Sequence, residues 1–519
     1  MQTNHATPQP QVAIAFLSDP RSHDGAAVTR VDTHAAMVFL AGDRAYKLKR
    51  AVRYPYLDYA TVEKRRAACL AEWTINRRTA PTLYLGVQAV LRGLDGVLRL
   101  APLSDAVDDA ANAEAVDWVV TMRRFPDEAL FDRMAERHAL TPPLMRRLAE
   151  RIAAFHAAAE PRRDGGGLAG MRAVVDGNID ALQSFPTLFP ADRVARLAER
   201  SAAALDRLRA VLGDRRRDGF VRHCHGDLHL RNIVLLDGAP TLFDAIEFDE
   251  ALAVTDVVYD LAFLLMDLDH RGLRALGDAV LNRYVEETGD VGGLAALPLF
   301  LSARAAVRAK VLAAAGEVNP DMAAQADAEA RRYLDHAIAA LEPPPPRLVA
   351  VGGLSGSGKS RLAEELAPDL GAAPGALVLR SDALRKRLWG VAETDRLPPE
   401  AYAPDITARV YGGLAERARL ALSVGQAVVI DAVCASPDER ALFESVAADA
   451  AARFDGLWLD APLDLRAQRV TNRRDDASDA TAEVVKRQES YDLGAMRWAR
   501  LDAGRVASDV LAEALKRLV

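Results

Sequence analysis

One run of eight residues has the types and spacing needed to hold a chain of phosphate groups. It extends from Gly353 to Ser360 and matches the pattern G-x-x-x-x-G-K-[ST]. Glycines allow successive main-chain N–H groups to turn toward phosphate oxygens, because no Cβ atom stands in the way. The lysine reaches the outer phosphates, and the hydroxyl after it is a ligand for Mg²⁺. The predicted nucleotide-binding residues are Gly353, Ser355, Gly356, Ser357, Gly358, Lys359 and Ser360.

An acid and an arginine follow the next predicted strand, Ala376 to Arg380. Ligands of open parallel sheets bind beyond the carboxyl ends of the strands, so Asp382 is a candidate base for an acceptor hydroxyl. Arg385 lies one helical turn further on and is a candidate for holding that acceptor. A purely structural alternative is a helix start, with Ser381 as its cap and Asp382 favouring the helix dipole.

Two further features belong to this part of the chain. Asp431 ends the apolar run Ala427-Val-Val-Ile and is a candidate Mg²⁺ ligand of the Walker B type, or else a turn acid. Arg466, Arg469 and Arg473 repeat at i, i+3 and i+7, which places them on one helical face. Arg469 and Arg473 are predicted to clamp ATP from a lid, although a solvated basic helix gives the same pattern.

A second set of chemical groups lies upstream, between His223 and Asn232. Asp227 precedes Asn232 by five residues, which is the spacing of a kinase catalytic loop. In that arrangement Asp227 accepts the proton of the attacking hydroxyl and Asn232 binds Mg²⁺. Asp244 ends an apolar strand twelve residues later and is the second predicted metal ligand. A metal site made by the three histidines of this run is an alternative.

An ATP-binding lobe of this kind also needs a strand lysine and a helix glutamate. Lys47 is preferred because it occupies a position like that of the lysine in V-A-I-K, while Lys49 points to the same face and stays an alternative. Glu72, in a predicted helix that spans Arg65 to Arg78, is the natural partner. The evidence is the order of these residues relative to Asp227, because a single lysine or glutamate is uninformative.

These residues must be positioned by several folding units. Strand-like runs at residues 36–40 and 116–122, with a helix between them, predict a small mixed lobe over residues 1–125. Residues 126–342 are mainly helical. The four prolines 343–346 can continue neither a helix nor a central strand and predict a linker. Residues 347–519 alternate apolar strands with helices, which indicates a parallel α/β domain.

Composition agrees with several globular domains, since 50% of the 519 residues are hydrophobic and 27% are charged. The net charge of −7 and the lack of a basic tract disfavour a nucleic-acid partner without excluding a local groove. Three widely spaced cysteines indicate a reducing compartment. No leader and no membrane span are found, and the apolar run from Asp256 to Leu268 is interpreted as a buried helix. We therefore expect a cytoplasmic protein.

The two motif sets resemble two kinase families. Residues 12–341 resemble the aminoglycoside phosphotransferases, which have a protein-kinase-like fold, most closely from His225-Gly-Asp227 to Asp244 and at Asp260-Leu-Ala262. The resemblance implies that Asp227 is the catalytic base, that Asn232 and Asp244 bind Mg²⁺, and that Lys47 and Glu72 position the phosphates. It also implies a hinge at residues 122–125, with Met122 beside adenine.

Residues 347–519 resemble small P-loop kinases of the gluconate-kinase, zeta-toxin and polynucleotide 5′-kinase types. The resemblance rests on the phosphate loop, on Ser381-Asp382-x-x-Arg385 and on the arginine-bearing segment. The whole chain looks like the proteins described as bifunctional aminoglycoside phosphotransferase/ATP-binding proteins. It departs from protein kinases in having Val31-Asp-Thr-His34-Ala-Ala where a glycine-rich loop is expected.

Together these observations predict a multidomain α/β and α+β protein, with a bilobal kinase-like fold followed by a P-loop NTPase domain with a parallel sheet. We expect two ATP and Mg²⁺ sites, each transferring a phosphoryl group to a hydroxyl of a small molecule. The alternatives are a P-loop half that phosphorylates polynucleotide 5′-hydroxyls, or a half that binds nucleotide only to regulate the other.

Overall fold

The computed structural model describes residues 11–33, 35–54, 57–102, 115–318, 320–472 and 478–518. Contacts between Cα atoms divide the chain into two compact units. The first unit comprises Met1–Met171 and Gly213–Leu264, and the second comprises Arg172–Leu212 and Leu265–Val519. The four segments predicted from the sequence stay a prediction.

The N-terminal part of the first unit is a sheet with two helices. Its elements are α1 (Gln11–Ser18), β1 (Val28–Asp32), β2 (Ala36–Ala41), β3 (Arg44–Lys49), β4 (Arg53–Tyr54), β5 (Leu57–Asp58), α2 (Val62–Asn76), β6 (Tyr84–Arg92), β7 (Leu98–Pro102) and β8 (Ala115–Arg123). Six strands form an antiparallel sheet in the order β1-β2-β3-β8-β6-β7. The predicted strands and helix of the mixed lobe are therefore confirmed.

Helix α2 is held on this sheet by a buried ion pair and by an apolar core. Thr61 caps its start by accepting the Lys64 N–H. Arg65 donates two hydrogen bonds to Asp117 of β8, at 2.8 and 3.0 Å, and both side chains are buried. Cys69 and Trp118 belong to the same apolar core. Because α2 carries Glu72, these contacts determine where that carboxylate lies.

The stretch from residue 131 to residue 340 is mostly helical, as predicted. Its elements are α3 (Phe131–Glu136), α4 (Pro142–Ala158), α5 (Gly167–Gln183), α6 (Ala191–Arg207), α7 (Arg209–Arg217), β9 (Val221–His223), β10 (Ile233–Leu236), β11 (Ala239–Leu242), α8 (Glu250–Ala253), β12 (Val254–Asp256), α9 (Val257–His270), α10 (Arg274–Thr288), α11 (Leu297–Val318) and α12 (Ala323–Ala340). Strands β10 and β11 form a hairpin, and β12 pairs with β9. The apolar run ending at Leu268 is the largely buried helix α9, as expected. Among the described residues, no helix combines the length and apolar character that crossing a membrane requires.

The C-terminal part is a five-stranded parallel sheet with helices. Its elements are β13 (Arg347–Gly353), α13 (Lys359–Leu366), β14 (Leu377–Arg380), α14 (Ser381–Leu388), α15 (Pro404–Ser423), β15 (Val428–Asp431), α16 (Pro437–Asp449), β16 (Arg453–Asp460), α17 (Leu463–Thr471), α18 (Ala482–Gln488), β17 (Ala499–Asp502) and α19 (Ala507–Leu518). The strand order is β14-β15-β13-β16-β17. All neighbouring strands run parallel, so the ends of β13, β14 and β15 meet at one edge.

Candidate functional site

The kinase-like site contains a buried carboxylate shared by two lysines. Lys47 Nζ lies 2.8 Å from Glu72 Oε1 and 2.7 Å from Asp244 Oδ1. Lys49 Nζ lies 2.5 Å from the other oxygen of Glu72. Burial by itself would raise the pKa of Glu72, but the charges of Lys47 and Lys49 lower it to about 2. Glu72 is therefore an anion that holds both lysines.

The two lysines differ in their second partner. Lys49 pairs with Glu247, which also accepts a hydrogen bond of 2.9 Å from the Tyr59 hydroxyl. Lys49 is almost fully buried. Lys47 instead reaches Asp244, a predicted metal ligand whose side chain is 41% exposed. Lys47 is thus the lysine that contacts a predicted metal ligand, and Glu247 is a member of the cluster that the sequence did not indicate.

The predicted catalytic loop is joined directly to the turn that carries Asp244, a predicted metal ligand. Asn232 Nδ2 donates to both the main-chain oxygen and Oδ2 of Asp227, each at 2.9 Å. The Phe243 N–H donates to the Asn232 carbonyl at 3.0 Å, which brings Asp244 beside this loop. Asp227 is partly exposed, and His229 Nε2 lies 3.3 Å from it. Carboxylate and amide oxygens are the ligands that Mg²⁺ prefers, so Asn232 and Asp244 fit that ion.

The carboxylate of Asp260 holds the predicted catalytic loop through hydrogen bonds from its main chain. Its two oxygens accept the main-chain N–H groups of Gly226 and His225, at 2.8 and 3.1 Å. His156 Nε2 lies 3.1 Å from the same carboxylate. Asp260 and His156 are fully or almost fully buried. The sequence placed Asp260 in the family resemblance, but its contact with the loop became visible only in the structure.

Helix α2 and strand β6 hold the turn that contains Asp244 and Ala245. Asp244 has a φ of +60°, a left-handed conformation that needs support in a residue with a side chain. Its N–H donates to the Tyr84 hydroxyl at 3.1 Å. The Ala245 N–H donates to Asn76 Oδ1 at 2.9 Å, one turn of helix after Glu72. Nothing in the sequence indicated Asn76 or Tyr84 as parts of the site.

The structure separates the histidines of the catalytic run. His225 Nε2 lies 2.9 Å from the Phe243 carbonyl, while His229 faces Asp227. Among the described residues, the one group of three side chains close enough to share a metal is His156, Cys224 and Asp260. A metal centre built from the histidines of the run is therefore not assembled. Met122 is buried in β8, opposite Ala45 and Tyr84, and its contact with adenine stays a prediction.

In the C-terminal part, the loop after β13 has the conformation that phosphate binding requires. Gly353, Gly356 and Gly358 all have positive φ, at +144°, +81° and +97°. A Cβ on Gly356 would lie 2.5 Å from the Arg466 carbonyl. The Ser357 hydroxyl is buried and has no hydrogen-bond partner among the described residues. Lys359 opens α13, with Ser360 next in that helix, so the loop fits the phosphates of a nucleotide.

Two acids lie at the neighbouring strand ends, where the sequence predicted them. Asp431 is the last residue of β15 and is buried, with Arg380 Nε 3.4 Å from its carboxylate. Asp382 lies in the first turn of α14. Burial, and then the charge of Asp431, raise the pKa of Asp382, while Lys359 opposes the shift. Ser381 is the first residue of α14 rather than its cap, because Arg380 precedes the helix.

The predicted arginines have different surroundings. Arg385 is buried, donates to the Ala401 carbonyl at 2.6 Å and lies 4.9 Å from the Tyr402 ring centre. Arg469 donates to the carbonyls of Ser357 and Ala503, at 3.4 and 3.0 Å. Arg466 is buried and pairs with Glu489, so it does not belong to a solvated basic face. Arg473 lies outside the described residues.

A glutamine that the sequence did not indicate clamps the phosphate loop. Gln488, at the end of α18, accepts the Ser355 N–H at 2.7 Å and donates to the Ser355 hydroxyl at 3.0 Å. Its side chain is buried. Motif spacing could not have revealed this contact, because 133 residues separate the two partners.

Comparison with family models assigns both parts of the chain. Residues 83–299 match the model described as "Phosphotransferase enzyme family", and residues 348–491 match the model described as "AAA domain". Both domains are of kinase families. The chain therefore combines a protein-kinase-like phosphotransferase domain with a P-loop kinase domain, which confirms the predicted fold class and its enzymatic character.

The chain is also similar to curated relatives and to solved structures. The uncharacterized protein Rv2004c of Mycobacterium tuberculosis is 33% identical over 476 residues, which cover 89% of this chain and 90% of that protein. The uncharacterized protein Mb2027c of Mycobacterium bovis gives the same values. A choline kinase from Cryptosporidium parvum is 10% identical, with a TM-score of 0.39, and the match covers 64% of this chain and 95% of the choline kinase chain. A gluconokinase from Sinorhizobium meliloti is 22% identical, with a TM-score of 0.24, and the match covers 33% of this chain and 91% of the gluconokinase chain.

Proposed function

The chain belongs to the family that includes the uncharacterized protein Rv2004c of Mycobacterium tuberculosis, and we propose that it is a bifunctional ATP-dependent phosphotransferase. Each half transfers the γ-phosphoryl group of ATP to a hydroxyl of a small molecule such as a sugar or an aminoglycoside. The observation that supports this proposal is that each half contains a lysine and two acids, which we propose as the phosphate-binding lysine, the base and the metal ligand. These are Lys47, Asp227 and Asp244 in one half, and Lys359, Asp382 and Asp431 in the other.

In the kinase-like half, Asp227 receives the proton of the acceptor hydroxyl. The Asn232 amide donates to its carboxylate, which fixes the direction in which the free lone pairs point. Lys47 is held by Glu72 and binds phosphate oxygens, while Asn232 and Asp244 hold Mg²⁺. Mg²⁺, when bound, neutralises charge on the phosphates. Asp260 keeps the loop in place through two main-chain N–H groups.

In the P-loop half, main-chain N–H groups of the phosphate loop and Lys359 bind the nucleotide. Ser360 and Asp431 hold Mg²⁺, and Asp382 receives the proton of the acceptor. A raised pKa suits Asp382 to proton transfer, because a stronger base takes a hydroxyl proton more readily. Arg469, which contacts the carbonyl of Ser357, and Arg473 are proposed to bind the phosphates of ATP.

We test this proposal by measuring ATP consumption against a panel of sugars, aminoglycosides, nucleosides and 5′-hydroxyl oligonucleotides. Asp227→Ala should silence one acceptor class and Lys359→Ala another, each by about 100-fold or more. Controls are Asp237→Asn, an exposed acid paired with Arg123, and Lys516→Met on the surface of α19. Removal of Mg²⁺ with a chelator should stop both activities.

The outcomes separate the alternatives. Turnover with oligonucleotides that Lys359→Ala abolishes would replace the small-molecule proposal for the P-loop half with a polynucleotide kinase. Tight ATP binding without turnover in one half would favour a regulatory role for that half. Turnover that neither substitution changes would contradict both site assignments.

We also propose that the chain folds as four segments, residues 1–125, 126–342, 343–346 and 347–519.

A cytoplasmic location is proposed from Cys69, Cys224 and Cys434, which are all buried free thiols. Expression in a reducing and in an oxidising compartment, followed by thiol labelling after unfolding, tests that assignment.

A further inference from the structure

Helix α10 connects the two family segments within the second compact unit. It spans Arg274–Thr288 and so lies inside residues 83–299, which match the phosphotransferase family model. Its side chains contact residues 371–393, which lie inside the segment matched by the P-loop domain model. Both sets of residues belong to the unit that contains Leu265–Val519. The P-loop domain is therefore packed against a helix that the other family segment supplies.

Asn282 completes the edge of the parallel sheet. Its Oδ1 accepts the Val378 N–H at 2.7 Å, and its Nδ2 donates to the Ala376 carbonyl at 3.1 Å. Strand β14, to which Val378 belongs, is the edge strand of the sheet. An edge strand has main-chain groups without a strand partner, and here one side-chain amide takes the place of that strand. The position of β14 is thereby tied to α10.

Two further contacts fix α10 on the same edge. Arg274 donates to the carbonyls of Gly371 and Pro374, at 2.9 and 3.1 Å. Gly277 allows close approach, because a Cβ there would lie 3.2 Å from the Pro374 Cβ. Arg274 thus binds the segment that precedes β14 in the sequence, and Asn282 binds β14 itself.

Arg283 begins a chain of alternating charges that ends at a predicted metal ligand. Its Nη1 lies 3.0 Å from Glu393 Oε2. The other oxygen of Glu393 lies 3.1 Å from Arg380 Nη1. Arg380 Nε in turn lies 3.4 Å from Asp431 Oδ2. These side chains are at most about a quarter exposed, so water screens the charges only partly.

From these contacts we propose that Asn282 and Arg283 are positioning residues of the P-loop active site. Asn282 sets β14, which leads directly into Asp382. Arg283 holds Glu393, which keeps Arg380 against Asp431. This inference rests on the proposed kinase activity of the P-loop half. It means that this activity depends on a helix of the phosphotransferase-like segment, which gives the fusion of the two segments a physical reason.

The chain of charges predicts which kinetic constant changes. Without Arg283, Glu393 loses one of its two arginine partners, and we expect its stronger attraction to draw Arg380 away from Asp431. The hydrogen bonds and ion pairs that join α10 to residues 371–393 involve neither residues 353–360 nor Gln488, so we expect ATP binding to be preserved. We therefore expect a defect in kcat rather than in KM for ATP.

The experiment uses the full chain with Asp227→Ala, so that only the P-loop half turns over. Arg283→Gln should lower kcat about tenfold and change KM for ATP less than about twofold. Arg283→Lys, which keeps the charge, should recover most of the loss. Arg332→Gln is the matched control, because its ion pair with Glu329 is exposed and lies on the surface of α12. Turnover is followed as ADP release, with water as acceptor where no better acceptor is found.

Amide hydrogen exchange supplies a readout that does not depend on turnover. Asn282→Leu should speed exchange at Val378 about tenfold, because that N–H loses its acceptor. Arg283→Gln should speed exchange across the segment that contains Glu393. Lys359→Ala distinguishes failure of the proposed kinase function from failure of the positioning role of α10. If it leaves turnover intact, the proposed function fails and this inference fails with it. If it abolishes turnover while Arg283→Gln keeps full kcat, or exchange is unchanged in both α10 variants, the positioning role alone is overturned.

Discussion

Lys47 and Lys49 lie two residues apart on β3, and their neighbours give them different roles. Each contacts one oxygen of Glu72. Lys47 also contacts Asp244, a partly exposed residue at the proposed metal site. Lys49 is almost fully buried between Glu72 and Glu247. A strand spacing of two puts both side chains on one face, so the sequence favoured Lys47 by its motif position but left Lys49 as an alternative.

Substitution of each lysine tests this difference. Lys47→Met should lower kcat of the kinase-like half about 100-fold or more, because phosphate charge in the transition state loses a cation. Lys49→Met should reduce the free energy of unfolding by about 3–5 kcal/mol, because the largely buried side chain of Glu247 loses its lysine partner and Glu72 keeps only Lys47. Urea unfolding and steady-state kinetics measure the two effects.

The control for both lysines is Lys64→Met, whose ion pair with Asp58 is exposed. It should change the free energy of unfolding by less than about 1 kcal/mol and leave turnover intact. A Lys49→Met variant that is fully stable but inactive, beside an active Lys47→Met, would reverse the two roles.

At the scale of elements, the phosphate loop shows how a strand, a turn and a helix together make a binding site. Strand β13 ends at Gly353, and α13 begins at Lys359. The main chain between them takes positive φ at Gly356 and Gly358, a conformation in which N–H groups can turn toward a phosphate. Helix α17 packs so closely that the Arg466 carbonyl occupies the space beside Gly356. This element pair leaves no room for a side chain there.

Gly356→Ala should therefore damage the P-loop half. At a φ of +81° the new residue is strained, and its Cβ would lie 2.5 Å from a main-chain oxygen. A shift of the loop by about 1 Å should lower kcat about 100-fold, measured as ADP release in the Asp227→Ala background. The matched control is Gly412→Ala in α15, where a Cβ meets nothing within 4 Å.

Gly412→Ala should increase the free energy of unfolding by about 0.5–1 kcal/mol, because alanine favours a helix interior. Full activity of Gly356→Ala would show that the loop tolerates displacement, against the close approach of α17.

At the scale of the whole molecule, the four prolines join the P-loop domain covalently to the preceding residues, and non-covalent contacts join it to α10 as well. Residues 343–346 belong to no helix or strand, as the sequence predicted. The second compact unit nevertheless includes residues on both sides of them. Contacts from Arg274, Asn282 and Arg283 join α10 to the P-loop domain. The linker and the boundary of a compact unit therefore do not coincide.

Cleavage at the linker tests this arrangement. A protease recognition sequence placed at residues 343–346 should allow cutting without separation of the two fragments in native buffer. Size-exclusion chromatography should show co-elution at micromolar concentration, and urea should separate the fragments. The same cut in a chain carrying Arg274→Ala and Asn282→Leu should release the P-loop fragment. Separation of the unsubstituted fragments would mean that the α10 contacts are too weak to hold the domain.

The sequence by itself determined the features that depend on short spacing. The run from Gly353 to Ser360 and the step from Asp227 to Asn232 are local patterns, because a turn or a catalytic loop needs particular residues a few positions apart. Strand and helix periodicity likewise predicted β2, β8, α2 and β13. These signals identified the fold class and most of the candidate residues.

Only the tertiary structure decided the partners that the folded chain brings together from far apart. Lys47 meets Asp244 across 197 residues, Ser355 meets Gln488 across 133, and Arg283 meets Glu393 across 110. Such pairs depend on how helices and strands pack, and side-chain spacing within one element contains no information about them. For the same reason Arg385 could be placed on a helix from the sequence, while its burial against Ala401 and Tyr402 could not.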